Sequence, residues 1–378
     1  MAVVKAAARR SAPLIDCFFA QICTGGKNVR KRLSFKTWML LGALFLAASV
    51  FFAIGLGATR YSPAAIARVL FRGIPGMRAW LGEPSQLEIN MLWRMRVPRV
   101  LLGMVVGASL SVCGVAMQTL MRNRLADPFV LGVSSGASAF ASMFMVFGVF
   151  SFWGKFALPL SAFLGALVSI VFVYRMARVN GRIQMTRMLL SGVVVSMMMD
   201  ALTSWIAVAA PDAFAMYGVD FWLSGSLAGA KWETLPLPCL VMTVCTLYLT
   251  ARHRALDALS FGEETAGALG ISVAGTQRIL VLLCSLLAGT AICVSGSIGF
   301  LGLIVPHMCR LLVGANHRKV LPTSLWLGGS LCVWADVAAR VLIPPEEIPV
   351  GILTALVGAP FFLIVLRSKH RDGEIAHG

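Results

Sequence analysis

Charge is scarce in this sequence. Lys, Arg, Asp and Glu make up 13% of 378 residues, where a soluble domain carries roughly 25%. The shortage is mostly acidic: 16 Asp+Glu stand against 33 Lys+Arg, a formal net charge of +17. With 58% apolar residues and a mean hydropathy of +0.83, the composition excludes an ordinary globular enzyme and a disordered chain. Chemical motifs are missing as well. There is no C-x-x-C, no H-E-x-x-H and no P-loop, since Gly154-Lys155 lacks the upstream glycine and the hydroxyl residue. No carboxylates pair at helical spacing within an apolar run, so neither catalytic residues nor a metal or cofactor site is expected. Seven of nine cysteines lie in apolar stretches and read as small membrane-core residues. No low-complexity tract or soluble domain is visible. In a soluble chain the net charge would suggest nucleic acid; here the loops of a membrane protein account for it, and no nucleic-acid partner is expected.

Long apolar runs are what the chain has instead. A bilayer core of about 30 Å takes about 20 helical residues. Ten spans fit, at about 37–58, 98–120, 129–148, 156–175, 187–209, 233–251, 277–295, 300–313, 321–341 and 349–366. The uncharged stretch 279–309 is divided at Ser295–Gly299 and again at Pro306, so it reads as one span and the start of another. With both termini cytoplasmic, 23 of the 33 Lys/Arg fall inside, as the positive-inside preference requires. The first run is too long for a signal-peptide core, and no A-x-A site follows it. Residues 1–36 form a basic cytoplasmic extension suited to an anionic leaflet, 37–367 the membrane domain, and 368–378 a cytoplasmic tail. Gly107–Gly114 resembles Gly289–Gly296 at an offset of 182. That pairs the second span with the seventh and divides an all-α protein into two five-helix halves of inverted topology. Gly103, Gly107 and Ser111 form a small-residue face for close helix packing.

Seven ordered segments carry a family resemblance: Arg96-Val-Pro-Arg99, Gly107-Ala-Ser, Arg122-Asn-Arg-Leu-Ala-Asp-Pro128, Leu131–Gly136, Gly299–His307, Ala335–Arg340 and Pro349–Phe362. From about residue 38 to 367 the chain resembles the FecCD family, permease subunits of ABC importers for ferric siderophores, haem and cobalamin. The resemblance implies a homodimer or close heterodimer in a bacterial inner membrane, two cytoplasmic ATPase subunits that hold ATP and Mg, and a periplasmic binding protein. It implies alternating access along a pathway lined by the fifth and tenth spans. Haem or a ferric siderophore is the expected cargo, with cobalamin as the alternative.

The segment between spans six and seven, about 258–272, reads from its residues as two short helices broken at Gly262 and Gly270, with Glu263 and Glu264 at a helix start. The resemblance makes it the coupling element that docks into the ATPase, with Ala266 and Leu269 among its contact residues. It also implies a cytoplasmic gate at Asn123 and Leu125 and, in a second loop, at Met185 and Thr186. This chain has Arg124 where the family usually has proline. Arg96, Arg99 and Arg340 are the implied docking arginines for the binding protein; lipid phosphates or pairing with Asp336 and Glu346 are the plainer alternatives. Seven Arg lie between positions 60 and 99, on the side that the positive-inside preference leaves acidic or neutral. Asp336 and Arg340 are four apart and can pair on one helix face. Asp200 is ionisable within a span. It is expected to be hydrogen-bonded between helices near a wet pathway, the rival reading being an ion-coupled secondary transporter that uses Asp200. His307 reads as hydrogen-bonded core, and the 19 Met residues as flexible filler or pathway lining.

Overall fold

The structure, a computed structural model, describes residues 34–374 except 58, 75, 77–80, 180–181, 212 and 345. Most of the basic extension and the end of the tail lie outside the described residues. Fourteen helices follow in order: α1 Phe35–Gly55, α2 Pro63–Leu70, α3 Val97–Leu120, α4 Val133–Phe147, α5 Ala157–Ala177, α6 Met185–Val208, α7 Ala213–Leu223, α8 Pro236–Ala251, α9 His253–Ser260, α10 Glu263–Ala268, α11 Val273–Ser295, α12 Leu301–Val313, α13 His317–Val341 and α14 Val350–Glu374. A two-residue antiparallel pair, β1 Arg178–Val179 with β2 Arg182–Ile183, precedes α6. Seven helical segments are long and apolar enough to cross a bilayer, and α4, α12 and the first part of α14 are shorter apolar helices. Together they occupy the ten expected spans.

The short spans have local causes. Asp127 caps a 3₁₀ turn at Pro128–Leu131, and Gly132 and Gly148, both at positive φ, bound α4. Phe300, at φ 68°, starts α12. Two features were not legible in the sequence. A π-helix at Ile89–Arg96 runs directly into α3, and α7 forms outside the ten spans. The π-helix is fixed on one side by Trp93, whose carbonyl accepts from Trp232 Nε1 at 2.8 Å.

The axis of the fold is α3. Of its residues only Arg99, Leu101 and Met104 are not fully buried. It packs on α13, α11 and α12, and its small residues are the reason. A methyl group at Gly107 would strike Gly328 O and Cys332 Cβ of α13; one at Gly114 would strike Gly302 O of α12. At such contacts backbones meet without side chains between them. Helix α3 crosses α11 at Cys113 and Cys284, whose thiols each point to the other's carbonyl at 3.4 and 3.8 Å. The second and seventh spans are therefore packed together, but their crossing has an offset of 171, not the 182 of the sequence match.

Candidate functional site

At one end of the molecule, α9, α10 and the start of α11 form a knuckle. Its two breaks are where expected: Gly262 has φ +121° and Gly270 φ +77°. Helix α9 buries Ala255, Leu256, Ala258 and Leu259 against the bundle. From α10 only Ala266 is buried. Leu269 and Phe261 are left largely exposed, at 67% and 80%. Phe261 was not singled out by its sequence; a lone aromatic beside a loop glycine carries no signal until the turn exposes it. Glu264 is solvent-facing, whereas Glu263 is engaged. It pairs with Arg122 at 3.2 Å and accepts from Gln277 Nε2 at 3.3 Å. A cleft of about 870 Å³ lies here, with Arg122, Ile183, Phe261, Glu263, Glu264 and Gln277 in its wall.

Arg122 opens the α3–α4 loop at φ 49°. In that loop Asn123 Oδ1 accepts from Leu125 N at 2.9 Å, and Leu125 is 42% exposed. The second expected gate segment is helical rather than a loop. Met185 and Thr186 form the first turn of α6, after Gln184, because the β1–β2 pair already makes the reversal. Ile183, two residues earlier, shares the cleft with Arg122, so both segments lie at the same end of the bundle. Arg124 is exposed. Behind it Gln118 accepts from Arg310 Nη1 and reaches Gly302 O and Leu303 O at 3.5 Å.

Asp127, in the same loop, accepts from Phe129 N at 2.8 Å. Burial pushes its carboxyl up to about 6, against the pull of that N–H. In the unfolded chain the group loses its proton near pH 4; in the folded chain it keeps it until about 6. Stability should therefore fall as pH rises through that window and stay lower above it. Asp127→Asn keeps the capping oxygen and removes the charge, so it should flatten the pH profile and gain about 1–2 kcal/mol at pH 7.5. Thermal unfolding in detergent at pH 4.5 and 7.5 checks this; equal slopes for both proteins would refute it.

The opposite end collects the three predicted arginines, two of them, Arg99 and Arg340, on buried Asp336. Arg99 Nε donates to Asp336 Oδ1 at 3.0 Å, and its Nη1 donates to Glu347 Oε2 at 2.7 Å. Arg340 Nε lies 3.1 Å from Asp336 Oδ2, the expected i,i+4 pair. The external partner of Arg99 is Glu347, not Glu346. Two of the arginines also have a job that no pattern announces. Arg96 Nη1 donates to Ile54 O and Gly55 O, both at 3.1 Å. Arg340 donates to Ala53 O at 3.2 Å and Leu56 O at 3.0 Å. These are the last carbonyls of α1, which has no basic residue in its own final turn. Cations here satisfy the free acceptors and oppose the negative end of the helix dipole. Arg340 is consequently buried, 4% exposed, rather than presented at the surface.

Between the two ends, α6 leaves Val193, Val194, Met197, Met198 and Trp205 uncovered, and α14 leaves Ile352, Leu356 and Val357 uncovered. Asp200 is exposed on the same helix as the first set. Its carboxylate has no hydrogen-bond or ion-pair partner among the described residues, which corrects the expectation of a carboxylate held between helices. No group of three or more His, Cys, Asp or Glu suited to a metal occurs among the described residues.

The profile of the FecCD transport family matches residues 44–368. The chain belongs to the FecCD family. Among its relatives, the cobalamin import permease of Halobacterium salinarum is 40% identical over 296 residues, covering 76% of each chain. The hemin transport permease of Yersinia pestis is 38% identical over 296 residues, 77% of this chain and 88% of the relative. A solved structure described as a metal-chelate-type ABC transporter in an inward-facing conformation aligns with a TM-score of 0.76 at 28% identity, over 88% of this chain and 99% of that one. This FecCD chain is thus a permease subunit, with the knuckle at one end and the arginine cluster at the other.

Proposed function

We propose that two copies of this chain form the membrane core of an ATP-driven importer that carries an iron chelate, haem or a ferric siderophore, into the cytoplasm across a bacterial inner membrane. The observation that carries this is the exposed knuckle at 261–270, tied through Glu263 and Arg122 to the α3–α4 loop. Two ATPase subunits would grip Phe261 and Leu269, and their closure would pull the loop bearing Asn123 and Leu125. The uncovered faces of α6 and α14 would line the pathway between the copies. Both termini would lie in the cytoplasm, which places the arginine cluster outside. The cargo assignment follows the hemin-transporting relative and the metal-chelate-type structural neighbour. Cobalamin is the alternative, favoured by the Halobacterium relative. Asp200 stands without a second carboxylate partner, which argues against an ion-coupled carrier. Reconstitution with the ATPase and binding protein tests the reading: ATP-dependent uptake of haem or ferric hydroxamate is expected. Uptake driven by an ion gradient without the ATPase would overturn it.

On the outer side, Arg99 is the arginine best placed to receive a carboxylate of the binding protein, because its exposed partner Glu347 can be exchanged for another acid. Arg96 would flank it, while Arg340 holds the scaffold beneath. Arg99→Gln should weaken the complex about tenfold at low salt and less at high salt; because Arg99 also pairs with buried Asp336, the melting temperature of the variant is measured alongside. Affinity in nanodiscs at 50 and 500 mM salt measures this. An unchanged affinity at both would leave Arg99 with the scaffold role alone.

A further inference from the structure

A second connection joins the knuckle to α3, and unlike the Glu263–Arg122 pair it runs through a buried side chain. His317, the first residue of α13, is 3% exposed. Its Nδ1 lies 2.6 Å from Asp257 Oδ1, and its backbone N–H donates to the same oxygen at 2.9 Å. On the far side of the ring, Nε2 lies 2.8 Å from Thr119 Oγ1. The Asp257 carboxylate only accepts, so the ring donates to it from Nδ1. Thr119 Oγ1 is also 2.8 Å from Val115 O of its own helix, so the ring bridges the two elements by side-chain hydrogen bonds on both edges. Burial by itself would raise the Asp257 carboxyl; the hydrogen bonds from His317 oppose that, and it is held below the usual range.

The position of this chain of bonds gives it a role. Asp257 is on α9, two turns at most from Phe261 and Gly262, where the knuckle turns outward. Thr119 is in the last turn of α3, three residues before Arg122 and four before Asn123. His317 spans the space between them from a third helix. A hydrogen bond to a carboxylate is shorter and roughly twice as strong as one between neutral groups, and the ring that makes it is buried. A displacement of α9 is therefore passed to the inner end of α3 through His317, in parallel with the exposed Glu263–Arg122 link.

We infer that His317 is a positioning residue for energy coupling: a hydrogen-bonded strut between Asp257 and Thr119 that makes α9 and the gate-side end of α3 move as one body. This rests on the proposed function, because it assigns the strut the task of passing ATPase closure to the α3–α4 loop. The experiment uses the complete complex, permease with its ATPase and binding protein, in proteoliposomes, with haem and ferric hydroxamate as probes. The quantity read is cargo imported per ATP hydrolysed. Thr119→Val removes the hydroxyl while keeping the shape, and should lower that ratio about tenfold with ATP hydrolysis retained. Thr119→Ser keeps the hydroxyl and should restore it. His317→Leu, whose side chain can bond to neither Asp257 nor Thr119, should match Thr119→Val. Melting temperatures are measured alongside, so that a variant that fails to fold is recognised, and the Thr119 pair then decides. If Thr119→Val folds and imports at the wild-type ratio, the strut is only structural and the inference is overturned. A wild-type complex that imports neither probe with ATP would instead overturn the function on which it rests.

Discussion

Asp336→Ala is expected to destabilise the protein by about 3–5 kcal/mol, the range found when one member of a buried ionic group is removed. The carboxylate is 1% exposed and answers two guanidiniums, those of Arg99 and Arg340. Without it, two like charges share a buried site, and Arg340 cannot swing out because its Nη atoms are held by the end of α1. Glu347→Ala is the contrasting variant. That carboxylate is 39% exposed, and an exposed pair contributes about 0–1 kcal/mol. Unfolding of both variants in detergent, followed by heat or denaturant, reads the difference. An Asp336→Ala protein within about 1 kcal/mol of the Glu347→Ala protein would show that the cluster is not a stabilising centre.

The second large effect is expected on transport. Gly262 sits at φ +121°, ψ 160°, a conformation essentially confined to glycine. A Cβ there would meet nothing within 4 Å, so the cost of substitution is one of backbone shape rather than of clash. Gly262→Leu should leave the bundle folded but re-aim Phe261 and α10. Cargo uptake should fall by at least tenfold while the ATPase continues to turn over. Gly270, at φ +77°, offers a finer test: Asn tolerates the left-handed region and Val does not. Gly270→Asn should keep most of the uptake and Gly270→Val should lose it. Equal activity of all three variants in proteoliposomes would remove the knuckle from the mechanism.

The spans were legible because each is a largely apolar run with few charges, most of them long enough to match a bilayer. The breaks at Gly262 and Gly270, the small-residue face of α3 and the Asp336–Arg340 pair were legible too, since each is local in sequence. What escaped was whatever depends on distant partners. Arginine clusters look solvent-facing in a sequence, and only the fold shows that Ala53–Leu56 need donors. Asp257 and His317 are 60 residues apart, with nothing at either position to announce the other. Helix α7 is apolar nearly all round, so no periodic face separated it from the span before it. The repeat was visible as a pairing of the second and seventh spans, which the fold packs together at Cys113 and Cys284.

The capping of α1 by arginines from elsewhere has a consequence for how the chain is made. Helix α1 leaves the ribosome well before α13, yet the donors for its final carbonyls are at residues 96 and 340. During synthesis that helix end must stay hydrated at the membrane surface, held first by Arg96 and completed only when α13 arrives. Arg340 in turn needs Asp336 beside it, so the last large helix but one carries the fastening for the first. Chains truncated before residue 340 should therefore expose the end of α1 to proteases, and chains extended past it should not. The arginine cluster in this sense lets a late helix close the bundle on an earlier one.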